Sequence, residues 1–248
     1  MNYTEKVKSA WLPIGEAFNQ SPAMQKLASG TCTVEHYKAV LRQIFHHTRE
    51  NPQIQALATV YFRGAQRNLV KKFFHHATSE IGHDQLALND LALLGEDVSR
   101  IPFERPLPAT TALLAYPFYQ IQYLNHLGYL GYLFHLEFAP TQHGAAYMSL
   151  LSKIGVPENA MTFLYDHSTI DVAHNKLMEI YIQEMVKTEV DFETVIYAMK
   201  VTAKLYSNML LEAFEQAENP QDWGTSPDEL HLSSNADQKE IVQTANSF

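Results

Sequence analysis

Two imidazoles and a carboxylate recur at helical spacing in His167-Ser-Thr-Ile-Asp171-Val-Ala-His174. At 3.6 residues per turn, positions i, i+4 and i+7 share one narrow stripe, so all three side chains leave a helix on the same face. Neutral imidazole and carboxylate together are the ligand set of zinc, manganese and non-haem iron. A solvated face can carry such a triplet by chance. A second group of the same kind upstream argues otherwise. In His75-His76-Ala-Thr-Ser-Glu80-Ile-Gly-His83-Asp84, Glu80 and His83 are three residues apart and so are helical neighbours, with His76 on the same stripe. Gly82 removes a side chain beside these donors and predicts the close approach of another helix there.

Glu137 supplies a third piece. It sits in Phe134-His135-Leu136-Glu137-Phe138, among apolar neighbours, where an ionised carboxylate is costly unless paired or metal-bound. The competing reading is a buried ion pair with an arginine such as Arg49 or Arg63. His135 points away from the face of Glu137 and reads as a core or supporting histidine. Glu80, Glu137 and Asp171 bring three negative charges, and His83, His167 and His174 are neutral. One divalent ion would leave that buried set negative, whereas two ferrous ions leave it near +1, so the charges favour two metals.

The elements that must carry these groups read as helices throughout. Apolar residues at helical spacing mark residues 2 to 19, a short turn begun by Ser21-Pro22 and ended by Gly30, and a long helix capped by Thr33 that Asn51-Pro52 kinks or divides. The pattern resumes from about Gln66 to Leu94-Gly95. Residues 96 to 109 hold three prolines and no helical period, and read as the longest internal loop. An aromatic-rich buried helix from about Thr110 to Phe138 follows, with Pro140 as its stop. Two shorter helices (144–154 and 157–165) and two long ones (167–187 and 192–218) complete the pattern. No strand alternation or repeat appears, so the expectation is an all-α single domain over residues 1–218. The polar stretch 219–248 reads as a mobile tail.

Composition narrows the partners. The formal charge of −9 and the lack of a basic run exclude a phosphate-backbone binder, so no nucleic acid is expected. The stretch from Leu113 to Phe138 is the most apolar, yet it contains Gln120, Gln122, Asn125, His126, His135 and Glu137, too many polar groups for a bilayer span. The single cysteine, Cys32, precludes an internal disulfide, and the N-terminus lacks the apolar core of a secretory signal. A reducing cytoplasm is the expected location.

With these residues in place, the chain resembles the haem-oxygenase-like di-iron oxidases within the wider TenA-like and PqqC-like superfamily. The resemblance covers about residues 5 to 218. It rests on an acid and a histidine on one helix, here Glu80 and His83, then Glu137, then His-x3-Asp-x2-His at His167, Asp171 and His174. It implies a bundle of about seven helices and a non-haem iron enzyme holding two Fe(II) ions. Such an enzyme activates O2 to oxidise or cleave a small amino-acid- or fatty-acid-like substrate. By that resemblance Glu137 bridges or clamps the irons, the histidines fix the geometry, and Asp171 and Glu80 balance charge. Many members carry the first acid seven residues before the histidine, where this chain has His76. Either Glu80 takes that role, or His76 does and one iron has a nitrogen-rich shell and weaker occupancy. Haem oxygenases use a proximal histidine in the first helix, whereas the first histidine here is His36. The TenA-type nucleophile is a mid-chain cysteine, whereas Cys32 precedes the second long helix. Supporting partners for the imidazoles are sought in Tyr165, Asp84 and His76, and a pocket in Phe118, Tyr119, Tyr123, Tyr129 and Tyr132. Arg49 and Lys204 are candidate holders of a substrate carboxylate. The competing class is a metal-free binding protein on this fold. The fold commonly dimerises, and nothing in the sequence compels it.

Overall fold

The computed structural model describes residues 2–169 and 172–225, apart from the side chains of 172 and 173. The described residues form α-helices joined by short turns and loops, with a single isolated β-bridge between Glu104 and Thr225. Together they form an all-α bundle, as expected from the sequence.

Helix α1 (Tyr3–Asn19) starts where the Asn2 side chain accepts from the Glu5 amide, and it buries Val7, Trp11, Ile14 and Phe18 along one stripe. Pro22 opens the short α2 (Pro22–Ala28). The Thr33 capping box starts α3 (Val34–Thr48), and α4 (Asn51–Thr59) follows the break at Asn51-Pro52. After a 3-10 turn come α5 (Val70–Ser79) and α6 (His83–Leu93), then the proline-containing loop and α7 (Pro108–Tyr119). Helix α8 (Gly128–Lys153) and α11 (Glu189–Glu218) pack along each other, with α1, α3 and α7 also against α11. Helices α9 (Thr162–Thr169) and α10 (Val172–Met185) lie against α8. The interior is dense with aromatic side chains, Phe73, Tyr129, Tyr132, Phe134 and Tyr181 being fully buried.

Four sequence expectations need correction. The segment 66–94 is two helices, because Gly82 adopts a left-handed φ of +96° and α6 starts anew at His83. A Cβ at Gly82 would meet nothing within 4 Å, so the glycine serves the turn and not a close helix approach. The aromatic helix likewise divides, at a π-turn (Gln120–Leu124) and the residues that follow it, into α7 and α8. Pro140 lies inside α8 and does not stop it. Its neighbour Thr141 returns its hydroxyl to the carbonyl of Phe138, and α8 continues through the 144–154 stretch to Lys153.

The start of the 219–248 segment folds back onto the loop before α7. The Arg105 amide donates to the Gly224 carbonyl and its guanidinium to that of Thr225. The rest of that segment, 226–248, lies outside the described residues.

Candidate metal centre

Helix α5, the turn at Gly82, α8, α9 and α10 converge on one cluster of imidazoles and carboxylates. His76 on α5 is fully buried, and its Nε2 lies 3.1 Å from Glu137 Oε1 on α8 and 3.7 Å from Glu80 Oε1. His174 on α10 places Nδ1 3.2 Å from Glu137 Oε2 and 3.3 Å from Glu80 Oε1. On its other side, Glu80 Oε2 lies 3.2 Å from His83 Nδ1. The ring of His83 meets that of His167 edge to face, with centroids 5.0 Å apart.

Two overlapping donor groups result. One atom each from His76, Glu80, Glu137 and His174 lies within 4.8 Å of every other, and the same holds for Glu80, His83 and His167. Glu80 belongs to both. The first group is buried throughout, whereas the second includes the half-buried His83 and His167.

Electrostatics favour cations here. Burial by itself would raise the pKa of Glu137, but hydrogen bonds from His174 and His76 and the charge of those imidazoles outweigh it, bringing the carboxyl down to about 2. Glu137 is thus held as a carboxylate at the centre of the bundle. The arginine partners considered for it are elsewhere: Arg49 pairs with Glu50 and the Pro102 carbonyl, and Arg63 donates to the carbonyls of Val60 and Phe62. Glu80 Oε1, also buried, makes no well-aligned hydrogen bond among the described residues, with the imidazole nitrogens of His174 and His76 3.3 and 3.7 Å away. Carboxylates facing imidazole nitrogens in a dry cluster suit a divalent metal, which would replace the protons those nitrogens otherwise share. The donors present fit such an ion.

The supporting contacts differ from those sought in the sequence. His167 Nδ1 lies 2.8 Å from the Phe163 carbonyl one turn earlier, which fixes that nitrogen as the donor and leaves Nε2 with the lone pair. Phe163 also stacks on the His167 ring at 4.0 Å. His174 Nε2 meets Ser79 Oγ at 3.3 Å, and His83 Nε2 faces Asp166 at 3.7 Å. Of the proposed helpers, Tyr165 is exposed and Asp84 accepts from Gln85. Ser79 and Asp166 carried no motif signal beyond being polar and adjacent to donor-bearing turns.

Of the six donors expected from sequence, Glu80, His83, Glu137, His167 and His174 meet in this cluster. Asp171 lies outside the described residues. His76, expected as an alternate to Glu80, stands beside it. His135 is buried away from the cluster, its Nδ1 accepting from Trp11 Nε1 at 3.3 Å.

An apolar cavity of about 150 Å³ borders the outer group at His167. Its walls follow α3 from His36 to Ile44 and α11 from Tyr206 to Phe214, with Phe18 and Phe163 closing the sides. The aromatics expected to line it do not: Tyr119 and Tyr123 are exposed, and Tyr129 and Tyr132 are core residues bonded to Gln55 and Asn51. Helical spacing alone could not separate lining aromatics from packed ones. A separate surface cleft of about 460 Å³, lined by Arg49 and Asp84 among others, reaches Glu80. Lys204 is exposed on α11 and lines neither space.

A helical bundle with a buried cluster of histidines and glutamates at its centre defines a haem-oxygenase-like protein equipped to hold metal. The chain belongs to the iron-containing redox enzyme family, whose model matches residues 38–207. No curated protein matches it at significant similarity. Among solved structures, it is similar to a domain of unknown function with a haem oxygenase-like fold from Shewanella denitrificans, at 26% identity and a TM-score of 0.75 over 86% of this chain and 91% of that one. A TenA homologue from P. horikoshii matches at 13% identity with a TM-score of 0.70, covering 87% and 99%. The haem oxygenase of Leptospira interrogans matches at 12% and 0.61, covering 86% and 100%. The last two likenesses concern the fold alone.

Proposed function

We propose that the protein is a non-haem di-iron oxygenase that uses O2 to oxidise a small, largely hydrocarbon substrate. The observation that carries this reading is Glu80, one carboxylate common to two donor groups that face its two oxygens. Bound there, a pair of ferrous ions would supply the electrons that reduce O2. His76, Glu137 and His174 would hold the inner position, and His83 and His167 the outer one, with Glu80 spanning them. Asp171, four residues after His167, is assigned to the outer set on its spacing alone.

The remaining work falls to the chain. Phe163 holds His167 in one tautomer and orientation. Ile44, Phe163 and Leu164 keep the approach to the outer position dry, which excludes water from competing reactions. The apolar lining favours a fatty-acid-like substrate, which can leave its one carboxylate at the mouth and bury its chain. An amino acid carries two charges next to each other on a short molecule, and they would be stranded there. Every described donor comes from one chain, so the site requires no second copy, although the protein can dimerise around it. The single, buried Cys32 suits a reducing cytoplasm, and no described helix is long and apolar enough to cross a membrane.

Anaerobic titration with ferrous iron, followed by metal analysis and admission of air, tests the reading. Two equivalents bound, a transient visible absorption, and O2 consumption stimulated by a fatty acid support it. A featureless trace without bound metal, together with ligand binding in the cavity, would identify a metal-free binding protein instead.

A further inference from the structure

Helix α9 carries His167, yet none of its eight side chains is fully buried, so polar ties count for more in placing it than in its neighbours. Its start also lacks a cap of its own. The first amides of a helix have no partner inside it, and the residue before Thr162 is Met161, whose side chain has no oxygen to offer them. Asp90, on α6, supplies the acceptor from outside. It is fully buried, and its Oδ1 accepts from the Thr162 amide at 2.9 Å and the Thr162 hydroxyl at 2.6 Å. Its Oδ2 accepts from the Phe163 amide at 3.0 Å. The carboxylate is thus compensated for its burial by the first turn of α9.

These bonds lead to the outer donor group along both helices. The amide of Phe163 is held by Asp90, and its carbonyl meets His167 Nδ1 at 2.8 Å, with its ring stacked on the imidazole. Asp90 therefore reaches His167 through a single residue. On α6, Asp90 lies seven residues after His83, two turns along the same face. The helix that presents His83 to the cluster also grips the start of the helix that presents His167. The two imidazoles meet edge to face at 5.0 Å.

We propose that Asp90 is a positioning residue for the outer metal position: by capping α9 from α6, it fixes the span between His83 and His167. The inference rests on the two-metal reading above and names what sets one of the two positions. The inner donors His76, Glu80, Glu137 and His174 come from α5, its C-cap, α8 and α10, so the inner position should not feel a change at Asp90. Losing a partner that orients a ligating histidine costs about 10–100-fold in metal affinity, and for a residue acting through Phe163 the lower figure is expected.

Asparagine at position 90 keeps the shape, but whichever way its amide turns, one of the two acceptor oxygens becomes a donor. Anaerobic equilibrium dialysis of the full chain against ferrous iron, with thermal melts alongside, compares the wild type with Asp90→Asn, Thr162→Val, Thr162→Ser and Leu113→Ala. Asp90→Asn should bind the first equivalent as the wild type does and the second about tenfold more weakly. Thr162→Val, which loses one of the three bonds, should weaken the second equivalent by less, and Thr162→Ser should restore it. Leu113→Ala, a change in the buried core of α7, should lower the melting temperature and leave both equivalents bound. An Asp90→Asn protein that binds both equivalents like the wild type would overturn the role of Asp90 and leave the two-metal reading intact. A loss of the second equivalent shared by Leu113→Ala would do the same, marking it as an effect of lower stability. Should Asp90→Asn fail to fold, equal binding of the second equivalent by Thr162→Val and Thr162→Ser would overturn the inference. A wild type that binds fewer than two equivalents would overturn both readings.

Discussion

Placing alanine at Gly144 should misplace His167 without touching any donor. Gly144 lies where α8 meets α9, and a Cβ there would stand 2.5 Å from the Cβ of Ser168. Carbon atoms rest at about 3.5–4.0 Å, so α9 must retreat by roughly 1 Å at the residue next to His167. Metal–ligand distances tolerate only about 0.2 Å, so the outer group would open. A displacement of about 1 Å costs on the order of a hundredfold in turnover. Overpacking costs about 1–3 kcal/mol, offset by about 1 kcal/mol from the better helix propensity of alanine, so folding should persist. The clashing atom is the Ser168 Cβ, so Ser168→Gly in the same chain should restore most of the activity; Ser168→Ala should not. Iron content and O2 consumption of Gly144→Ala, Ser168→Gly and the double variant give the assay. A single variant with wild-type iron content and turnover, or a double variant no better than Gly144→Ala, would refute the reasoning.

Other consequences are simpler to state. In the metal-free protein, Glu137 has its carboxyl depressed to about 2, so its stabilising contribution is whole above the ordinary carboxylate range and is lost as the pH falls from about 4.5 to 2. Urea melts over that range should show a steeper loss for the wild type than for Glu137→Gln. Burial holds His47 and His135, and burial with the charge of Arg49 holds His46, down to about 4, so each stays neutral where the unfolded chain binds a proton. Stability should therefore fall between pH 6.5 and 4 by up to about 1.4 kcal/mol per pH unit for each, and His47→Gln should lessen that slope. Leu210→Trp should fill the cavity and abolish fatty-acid-stimulated O2 consumption, with iron content unchanged; retained stimulation would show that the substrate lies elsewhere.

Much of this was visible in the sequence because helices impose short, regular spacings. Glu80 and His83 meet across three residues, and Glu137 stood out as a charge in an apolar run. The pairing of Glu137 with His174 rather than arginine depended on how α8 and α10 pack, which no local pattern encodes. The missing side chain of Gly82 is what a sequence displays, yet its φ of +96° is what matters, because it lets His83 begin a new helix facing Glu80. On an unbroken helix His76 and Glu80 share one stripe, which offers one place, so the sequence presents them as alternatives. The bend at Gly82 lets Glu80 turn between His76 and His83, and both fit. Pro140 misled because a proline inside a long helix looks the same in sequence as one that ends it. The cavity is hidden for a related reason: Tyr119, Tyr129 and Tyr132 do not line it, whereas its lining residues on α3, α8 and α11 are far apart in the chain.

Glu80 is the one carboxylate that two metal positions would share. Equilibrium dialysis of the wild type and Glu80→Ala against ferrous iron under anaerobic conditions tests it directly. The wild type should bind two equivalents and the variant less than one, with both species folded by circular dichroism. A wild type that binds no iron, or a Glu80→Ala protein that still binds two equivalents, would contradict it.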